Sequence, residues 1–424
     1  MFIRFPTMPI KFIHTADLHI DSPMEGLDTY DGAPVEALRS ATRRAFRNLV
    51  DLAIEEKVDF VLIAGDIYDG DWKDFSTGLF FTGEMARLRS AAVPVYLIAG
   101  NHDAVSVITK KLQLPDNVHT FSTRTTESKE VEGLPVVIHG RGFPQRAVTE
   151  NLVPDYPVSA KGKFNIGMLH TSLTGIEGHD TYAPCSISDL RDKGYAYWAL
   201  GHIHKPSAYF DEPWIGFSGN LQGRHVRETG PRGCRLVTVS DSLEIAANEF
   251  KELDVVRWER VTVDLSGSSS EQDAFARIGA ALASNLAEVE NRLLATRLVL
   301  EGATLLHDRL KHEVDWLKAE CIAQAQLVGT DSVWIEKIEV RTSPIYDLKE
   351  LAERDDLTRI VLEELNKAEA GAIQIPEGVQ QMLSKLPVAL RSEVEDLLKA
   401  EQQPALVDDI RSIILHALST SPRP

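Results

Sequence analysis

Between Ile10 and about Ser240 the chain repeatedly runs a short apolar segment into a polar end rich in metal-ligand side chains. Lys11–Thr15 leads into Asp17-Leu18-His19, Phe60–Ala64 into Gly65-Asp66-Ile67-Tyr68-Asp69, and Val95–Ala99 into Gly100-Asn101-His102-Asp103. Asn165–Leu169 then leads into His170, and Tyr197–Leu200 into Gly201-His202-Ile203-His204, while Val136–Gly140 is a further apolar run. Short segments rich in β-branched and aromatic residues read as strands. Helical patterns such as Pro34–Glu56 and Gly78–Ser90 lie between them. That alternation implies buried sheets covered by helices, a layered α/β domain. Tyr209–Ser218 and Cys234–Ser240 follow more closely on one another, so this part reads as more antiparallel.

At 424 residues the chain exceeds one ordinary core. The expected division is an α/β domain over residues 1–250, a small α+β domain over 251–344 and a helical C-terminal region over 345–424. The second of these reads as a βαβαβ unit: strand Val256–Leu265, a polar break at Ser266–Ser270, a helix to about Glu290, strand Arg297–Gly302, helix Leu305–Leu327 and strand Val333–Arg341. After Pro344 only helical patterns remain, near Leu348–Ala368, Pro376–Ala400 and Ala405–Ser419. The first carries Leu348, Leu351, Leu357, Ile360, Val361 and Leu365 on one face. With 43% hydrophobic and 25% charged residues and no apolar run of roughly 20 residues, a soluble protein without a membrane span is expected. Met1–Pro9 lacks the features of a secretory signal. Cys185, Cys234 and Cys321 are distant and odd in number, which argues against both a disulfide framework and a zinc–thiolate site and points to the cytoplasm.

The net charge of −18 weakens a nucleic-acid reading without excluding it. Residues 1–250 hold 25 Lys and Arg against 32 Asp and Glu, so the excess is concentrated in the second half. Asp17 and Asp66 would in addition be neutralised by cations.

In an extended segment D-x-H or H-x-H places two side chains on the same side, as one claw, and the neighbouring glycines permit sharp turns after each strand. Rigid strands behind such ends suit a metal centre. One H-x-H is commonplace; five ligand-bearing ends in series are not. Carboxylate, imidazole and amide donors suit Mn²⁺, with Mg²⁺, Fe²⁺ or Zn²⁺ as competitors. Two such ions about 3.5–4 Å apart can activate water and clamp phosphate oxygens during in-line displacement.

The series D-x-H, G-D-x-x-D, G-N-H-D, H, G-H-x-H resembles the calcineurin-like metallophosphoesterase superfamily. Within it, HTADLHID, AGDIYDG, IAGNHD, LHTS and ALGHIHKP are most similar to the SbcD-type DNA repair exonucleases. The resemblance implies a β-sandwich flanked by helices. It implies one metal held by Asp17, His19, Asp66 and His204, and a second held by Asp66, Asn101, His170 and His202. It also implies that His102 binds no metal and acts as a general acid or stabilises transition-state charge, oriented by Asp69. Gly219-Asn220-Leu221-Gln222-Gly223-Arg224-His225, with Glu228 and Gly233, resembles a side branch of the same relatives, and Arg224 and His225 are candidates to touch substrate phosphate. The family further implies that 251–344 caps a catalytic domain over 1–250, DNA as substrate, an SbcC-like coiled-coil ATPase partner for the C-terminal helices, whose alternative is simply to pack on the cap, and a homodimer through the first helices.

The resulting expectation is a Mn²⁺-dependent DNA exo- or endonuclease acting in repair. The alternatives are a phosphodiesterase or phosphatase on nucleotides or other small phosphoesters, and a scaffold whose metals are only structural. Arg39, Arg43 and Arg47 recur along one helix face and are open to two readings, a nucleic-acid contact or a solvated face balanced by acids, the second preferred. His14 is expected to pack or hydrogen-bond beneath the claw, Asp103 to brace its turn, and His139 either to contact phosphate or to be satisfied at a strand end. His119, His179, His307, His312 and His416 match no motif.

Overall fold

The computed structural model describes residues 9–22, 34–69, 75–105, 113–174, 182–345 and 360. The chain divides into two compact units, residues 1–260 with 288–296, and residues 261–287 with 297–424.

The first unit carries β1 (Ile10–Thr15), α1 (Val35–Arg39), α2 (Ala41–Glu55), β2 (Phe60–Ile63), α3 (Phe75–Ser90), β3 (Val95–Leu97) and β4 (Val118–Thr120). There follow β5 (Glu127–Glu130), β6 (Val136–Gly140), β7 (Phe164–His170), α4 (Ile187–Arg191) and β8 (Tyr197–Gly201). Next come β9 (Ser207–Asp211), β10 (Trp214–Phe217), β11 (Gly233–Val239) and β12 (Ile245–Glu252). The strands form two six-stranded sheets, in the orders β12-β11-β1-β2-β3-β4 and β5-β6-β7-β8-β10-β9. Each has a parallel centre, β1 to β4 in one and β6-β7-β8-β10 in the other. The later additions β11, β12 and β9 pair antiparallel, as the closer spacing of those segments suggested.

Period-two patterning explains the layers. In β2, Phe60 and Leu62 join Phe12, Tyr96, Ile138, Phe164, Ile166, Met168 and Tyr197 in a core lined by strands of both sheets. The alternate residues Val61 and Ile63 meet Phe46, Leu49, Val50, Phe81 and Met85 of α2 and α3. On the other sheet, Leu169, Trp198, Leu200, Ile215 and Phe217 pack with Tyr156, Leu190 and Tyr195. With both faces of the central strands buried, these segments are continuously apolar rather than alternating. The fold is thus layered α/β with helices outside two sheets, as the strand–helix alternation implies. The helix expected over Pro34–Glu56 is instead α1 and α2, separated at Ser40.

The second unit holds most of a three-stranded sheet in the order β13-β14-β15, formed by β13 (Val256–Asp264), β14 (Leu293–Thr304) and β15 (Val333–Pro344). Its helices are α5 (Glu271–Glu288), α6 (His307–His312) and α7 (Val314–Val328). Val261, Val263, Phe275, Ile278, Leu282, Leu298, Leu300 and Leu317 form its core. The single helix expected over Leu305–Leu327 breaks at Glu313, whose ψ of 63° leaves the helical range. The helical patterns beyond Pro344 lie outside the described residues, apart from Ile360. Among the described residues no helix is long and apolar enough to cross a membrane. All three cysteines are buried thiols.

Candidate metal centre

The ligand-bearing loops are laced together through their backbones. Asp17 N donates to Gly65 O at 2.9 Å, His19 N to Asp66 O at 3.1 Å, and Ile20 N to Ile67 O at 3.0 Å. The loop after β1 therefore extends along the loop after β2. Asp103 adds a brace: its Oδ1 accepts from the N–H groups of Ile67 and Tyr68, and its Oδ2 from that of Gly100. Gly100 sits so close to Asp66 that a Cβ there would lie 2.2 Å from Asp66 Oδ1.

Convergence of the side chains has a different cause from the one expected. Extended alternation does not explain D-x-H, because Asp17 and His19 have φ of 52° and 42°. Asp66 at 55° and His202 at 103° are also in the left-handed region. Non-glycine residues rarely adopt it, and each costs about 1–3 kcal/mol. The H-x-H segment likewise does not act as one claw. Ligand atoms of Asp17, His19 and His204 lie within 4.8 Å of one another, while those of Asp66, His170 and His202 form a separate such group. A third group joins His19, Asp69 and His102.

Hydrogen bonds aim the imidazoles. His170 Nδ1 donates to the Ala64 carbonyl at 2.9 Å, which turns Nε2 towards Asn101 Oδ1 at 2.8 Å and Asp66 Oδ2 at 3.4 Å. His204 Nδ1 donates to Glu228 Oε1 at 2.6 Å, which turns its Nε2 to within 3.1 Å of His19 Nε2. The backbone N–H of His202 donates to both oxygens of Asp17 at 3.0 Å. His102 Nδ1 donates to Asp69 Oδ1 at 2.9 Å, and Ser22 Oγ donates to Asp69 Oδ2 at 2.5 Å.

The electrostatics fit a cation-binding pocket. Burial raises the Asp17 carboxyl above its ordinary range, and the nearby His204 and His170 only partly offset it. Burial opposes ionisation of Asp66 too, but His170 outweighs it and the carboxyl is held below its usual range. Burial alone would lower His170, yet the Asp66 carboxylate pushes it up to about 9. His19 is driven well down, by burial and then by Arg224. Buried His19 Nδ1 has no hydrogen-bond partner, with Asp69 Oδ1 3.8 Å away. A buried nitrogen without a partner, beside two imidazole nitrogens facing each other and a carboxylate short of countercharge, is the environment a divalent cation completes. The residues present therefore fit the two-ion reading.

Residues 10–206 match the family of calcineurin-like phosphoesterases. The likeness to calcineurin-like phosphoesterases thus covers residues 10–206, a little under half of the chain. Residues 258–343 match the middle domain of metallophosphoesterase YhaO. The chain is 39% identical over 261 residues to the uncharacterized metallophosphoesterase YhaO of Bacillus subtilis (strain 168), spanning 61% of this chain and 64% of that protein. It is 26% identical over 200 residues to the DNA double-strand break repair protein Mre11 of Sulfurisphaera tokodaii, and 27% identical over 239 residues to that of Archaeoglobus fulgidus. These matches cover 46% and 52% of this chain, and 49% and 52% of the respective relatives. The chain thus spans about two thirds of YhaO and half of each Mre11. A dimetal phosphatase structure from Danio rerio aligns at TM-score 0.35 with 11% identity, over 57% of this chain and 99% of that chain, too slight a likeness to carry weight.

The other candidates are placed as follows. Arg224 Nη2 lies 3.3 Å from Glu228 Oε1, and its Nη1 lies 3.2 Å from Ser22 Oγ and 3.7 Å from Asp69 Oδ2, so it stands between the two orienting carboxylates. His225 is half exposed, with Nε2 3.8 Å from Glu228 Oε1. Arg43 pairs with Asp21 at 2.5 Å and Arg47 lies 3.5 Å from Glu84, so this helix face is balanced by acids. His14 is satisfied by Tyr197 Oη and the Leu200 carbonyl, and His139 by Ser128 and Asn165. Sequence reasoning assigned no role to Ser22 or Glu228. Ser22 stands directly after HID, and Glu228 was visible in the motif that follows Gly219.

Proposed function

We propose that this protein is a two-metal phosphodiesterase that cuts DNA, the nuclease subunit of an SbcC–SbcD-like complex. The observation that carries phosphoester hydrolysis is the His102–Asp69 pair. His102 is an imidazole that a carboxylate holds through Nδ1; its ring lies with His19, and its backbone N–H donates to Asp66 Oδ1. In this reading Asp17, His19, Asp66 and His204 would hold one ion, and Asp66, Asn101, His170 and His202 the other. The two ions, when bound, supply activation of water and neutralisation of charge on the phosphate. His102 donates a proton to the departing sugar oxygen. Burial would lower its proton affinity, but the hydrogen bond to Asp69 and the carboxylate charge of Asp66 raise it above the ordinary value, which favours the protonated acid. Arg224 and His225, at the rim, contact the substrate phosphate.

The choice of DNA is supported by the similarity to the two repair proteins named Mre11 and by the SbcD-like motifs. Mn²⁺ is the proposed ion, the cytoplasm the compartment, and residues 345–424 the attachment point for a coiled-coil ATPase. A second reading, a phosphodiesterase of small phosphoesters, is favoured by the net charge of −18 and by the internal pairing of Arg43 and Arg47. The deciding assay is Mn²⁺-dependent hydrolysis of linear double-stranded DNA and of bis-p-nitrophenyl phosphate, with wild type beside His102→Asn. DNA cleavage lost in the variant supports the nuclease. Cleavage of the small diester alone favours the second reading, and no turnover of either by metal-loaded protein would sink both.

A further inference from the structure

The loop from Gly219 to Glu228 is built around one carboxylate that the catalytic reading does not use. Glu228 is 6% exposed, and its two oxygens are surrounded by donors. Oε1 accepts from His204 Nδ1 at 2.6 Å and lies 3.3 Å from Arg224 Nη2. Oε2 accepts from Asn220 Nδ2 at 3.1 Å and from the Arg224 backbone N–H at 2.8 Å. The loop is shaped to allow this. A Cβ at Gly223 would lie 2.7 Å from the Glu228 carbonyl, so only glycine lets the loop close here. Gln222 fixes the same stretch to the backbone of Val255 and Val256, with its Oε1 accepting at 2.9 and 3.2 Å. Arg232 reaches the carbonyl of His204 and, at 3.2 Å, Asn220 Oδ1. The motif G-N-x-Q-G-R-x-x-x-E therefore specifies where one buried carboxylate sits.

We infer that Glu228 is a positioning residue that fixes His204 as a metal ligand and Arg224 as a phosphate contact from a single anchor. This rests on the two-ion reading of the site. A carboxylate on Nδ1 fixes the tautomer, so that Nε2 presents its lone pair, and fixes the ring plane; losing such a partner typically weakens metal affinity about 10–100-fold. Because the same oxygen faces Arg224, the loss also removes one carboxylate from a guanidinium whose other neighbours are Ser22, Asp69 and, at 3.3 Å, His204 Nδ1. Glu228 thus couples the ligand side of the pocket to the His102–Asp69 side through Arg224.

The test is Mn²⁺ titration of the full chain by calorimetry and electron paramagnetic resonance, on wild type, Glu228→Gln and His204→Ala, with melting of the metal-free proteins measured in parallel. The expected result for Glu228→Gln is selective weakening of one ion by about 10–100-fold. An isolated Mn²⁺ signal then appears at ion concentrations that give a spin-coupled pair in wild type, and KM for a diester rises along with the fall in kcat. Unchanged affinity for both ions in Glu228→Gln, with one lost in His204→Ala, overturns the inference and leaves the site reading standing. Two ions retained by His204→Ala instead overturn the site reading on which the inference rests. A lowered melting temperature with both affinities unaltered would make Glu228 merely structural and also overturn it. Should Glu228→Gln fail to fold, Asn220→Ala decides: it removes one donor to Glu228 and keeps the His204 contact, so a few-fold weakening confined to one ion is expected, and none refutes the role.

Discussion

Replacing Gly100 by alanine tests whether the loops after β2 and β3 are spaced by the absence of a single methyl group. The added Cβ would lie 2.2 Å from Asp66 Oδ1, 2.7 Å from Asp66 N and 2.8 Å from Asp66 Cγ. Non-bonded heavy atoms prefer about 3.5 Å, so something must move by about 1 Å. The Asp66 backbone cannot yield easily, because its carbonyl accepts from His19 N and its Oδ1 from His102 N at 2.9 Å. The carboxylate proposed to bridge both ions is then displaced along with the His102 backbone. Overpacking of this kind costs about 1–3 kcal/mol. At about 2–4 °C per kcal/mol for a domain of this size, the melting temperature falls by about 2–12 °C. Misplacement by about 1 Å costs about 100-fold in turnover. The assays are thermal melting of metal-free protein and Mn²⁺-dependent diester hydrolysis. A Gly100→Ala protein with wild-type melting temperature and turnover would refute the reasoning, because the contact distances leave no room for an unperturbed site.

Three further outcomes are expected. Asp103→Asn sets an amide NH₂ against at least one backbone N–H of Ile67, Tyr68 or Gly100, and should lower stability by about 1–3 kcal/mol in urea unfolding. Burial pushes the His14 imidazole down to about 3 from the 6.5 of an unfolded chain. The unfolded state therefore binds more protons between these values, so stability rises with pH across that window and is lost as pH falls. At pH 5 the loss is about 2 kcal/mol relative to pH 8, and His14→Gln, which cannot titrate, should show an acid limb shallower by that amount. Removal of metal by a chelator should lower the melting temperature. Mn²⁺ at about 100 times its dissociation constant restores about 2.7 kcal/mol; His102→Asn should retain this gain and Asp17→Asn should lose most of it.

The layered α/β fold was legible because the central strands are buried on both faces, so their sequences are continuous apolar runs that end where the sheet ends. The break between α1 and α2 was not, because Ser40 interrupts neither the apolar spacing nor the composition; it is a local backbone choice settled by packing. The site was legible as a set of strand ends, since Asp17, Asp66, Asn101, His170 and His202 each follow a recognisable strand directly. How those ends converge was not. Extended geometry predicts that Asp17 and His19 share a face by alternation, whereas the backbone turns left-handed at both, and no side-chain pattern reports φ. Glu228 escaped assignment for a related reason. It lies 24 residues beyond His204, and the contact exists only because the loop through Gly223 folds back.

These observations bear together on whether the metals would serve chemistry or only structure. A structural ion needs ligands and nothing more. Here four candidate ligands sit in left-handed conformations, each costing about 1–3 kcal/mol, and the lacing of the β1 and β2 loops maintains that strain. Beside them stands an imidazole that ligand duty does not require. His102 is held by Asp69, Asp69 is held in turn by Ser22, and Arg224 lies against both Ser22 and Asp69. Two residues, Asp69 and Ser22, spent on fixing the orientation of one non-ligand histidine make sense where a proton must be delivered to a defined point. A scaffold would gain nothing from them, and relief of the strain would make it more stable. The combination of strained ligands with a braced, partly exposed acid is what favours an enzyme over a structural metal protein.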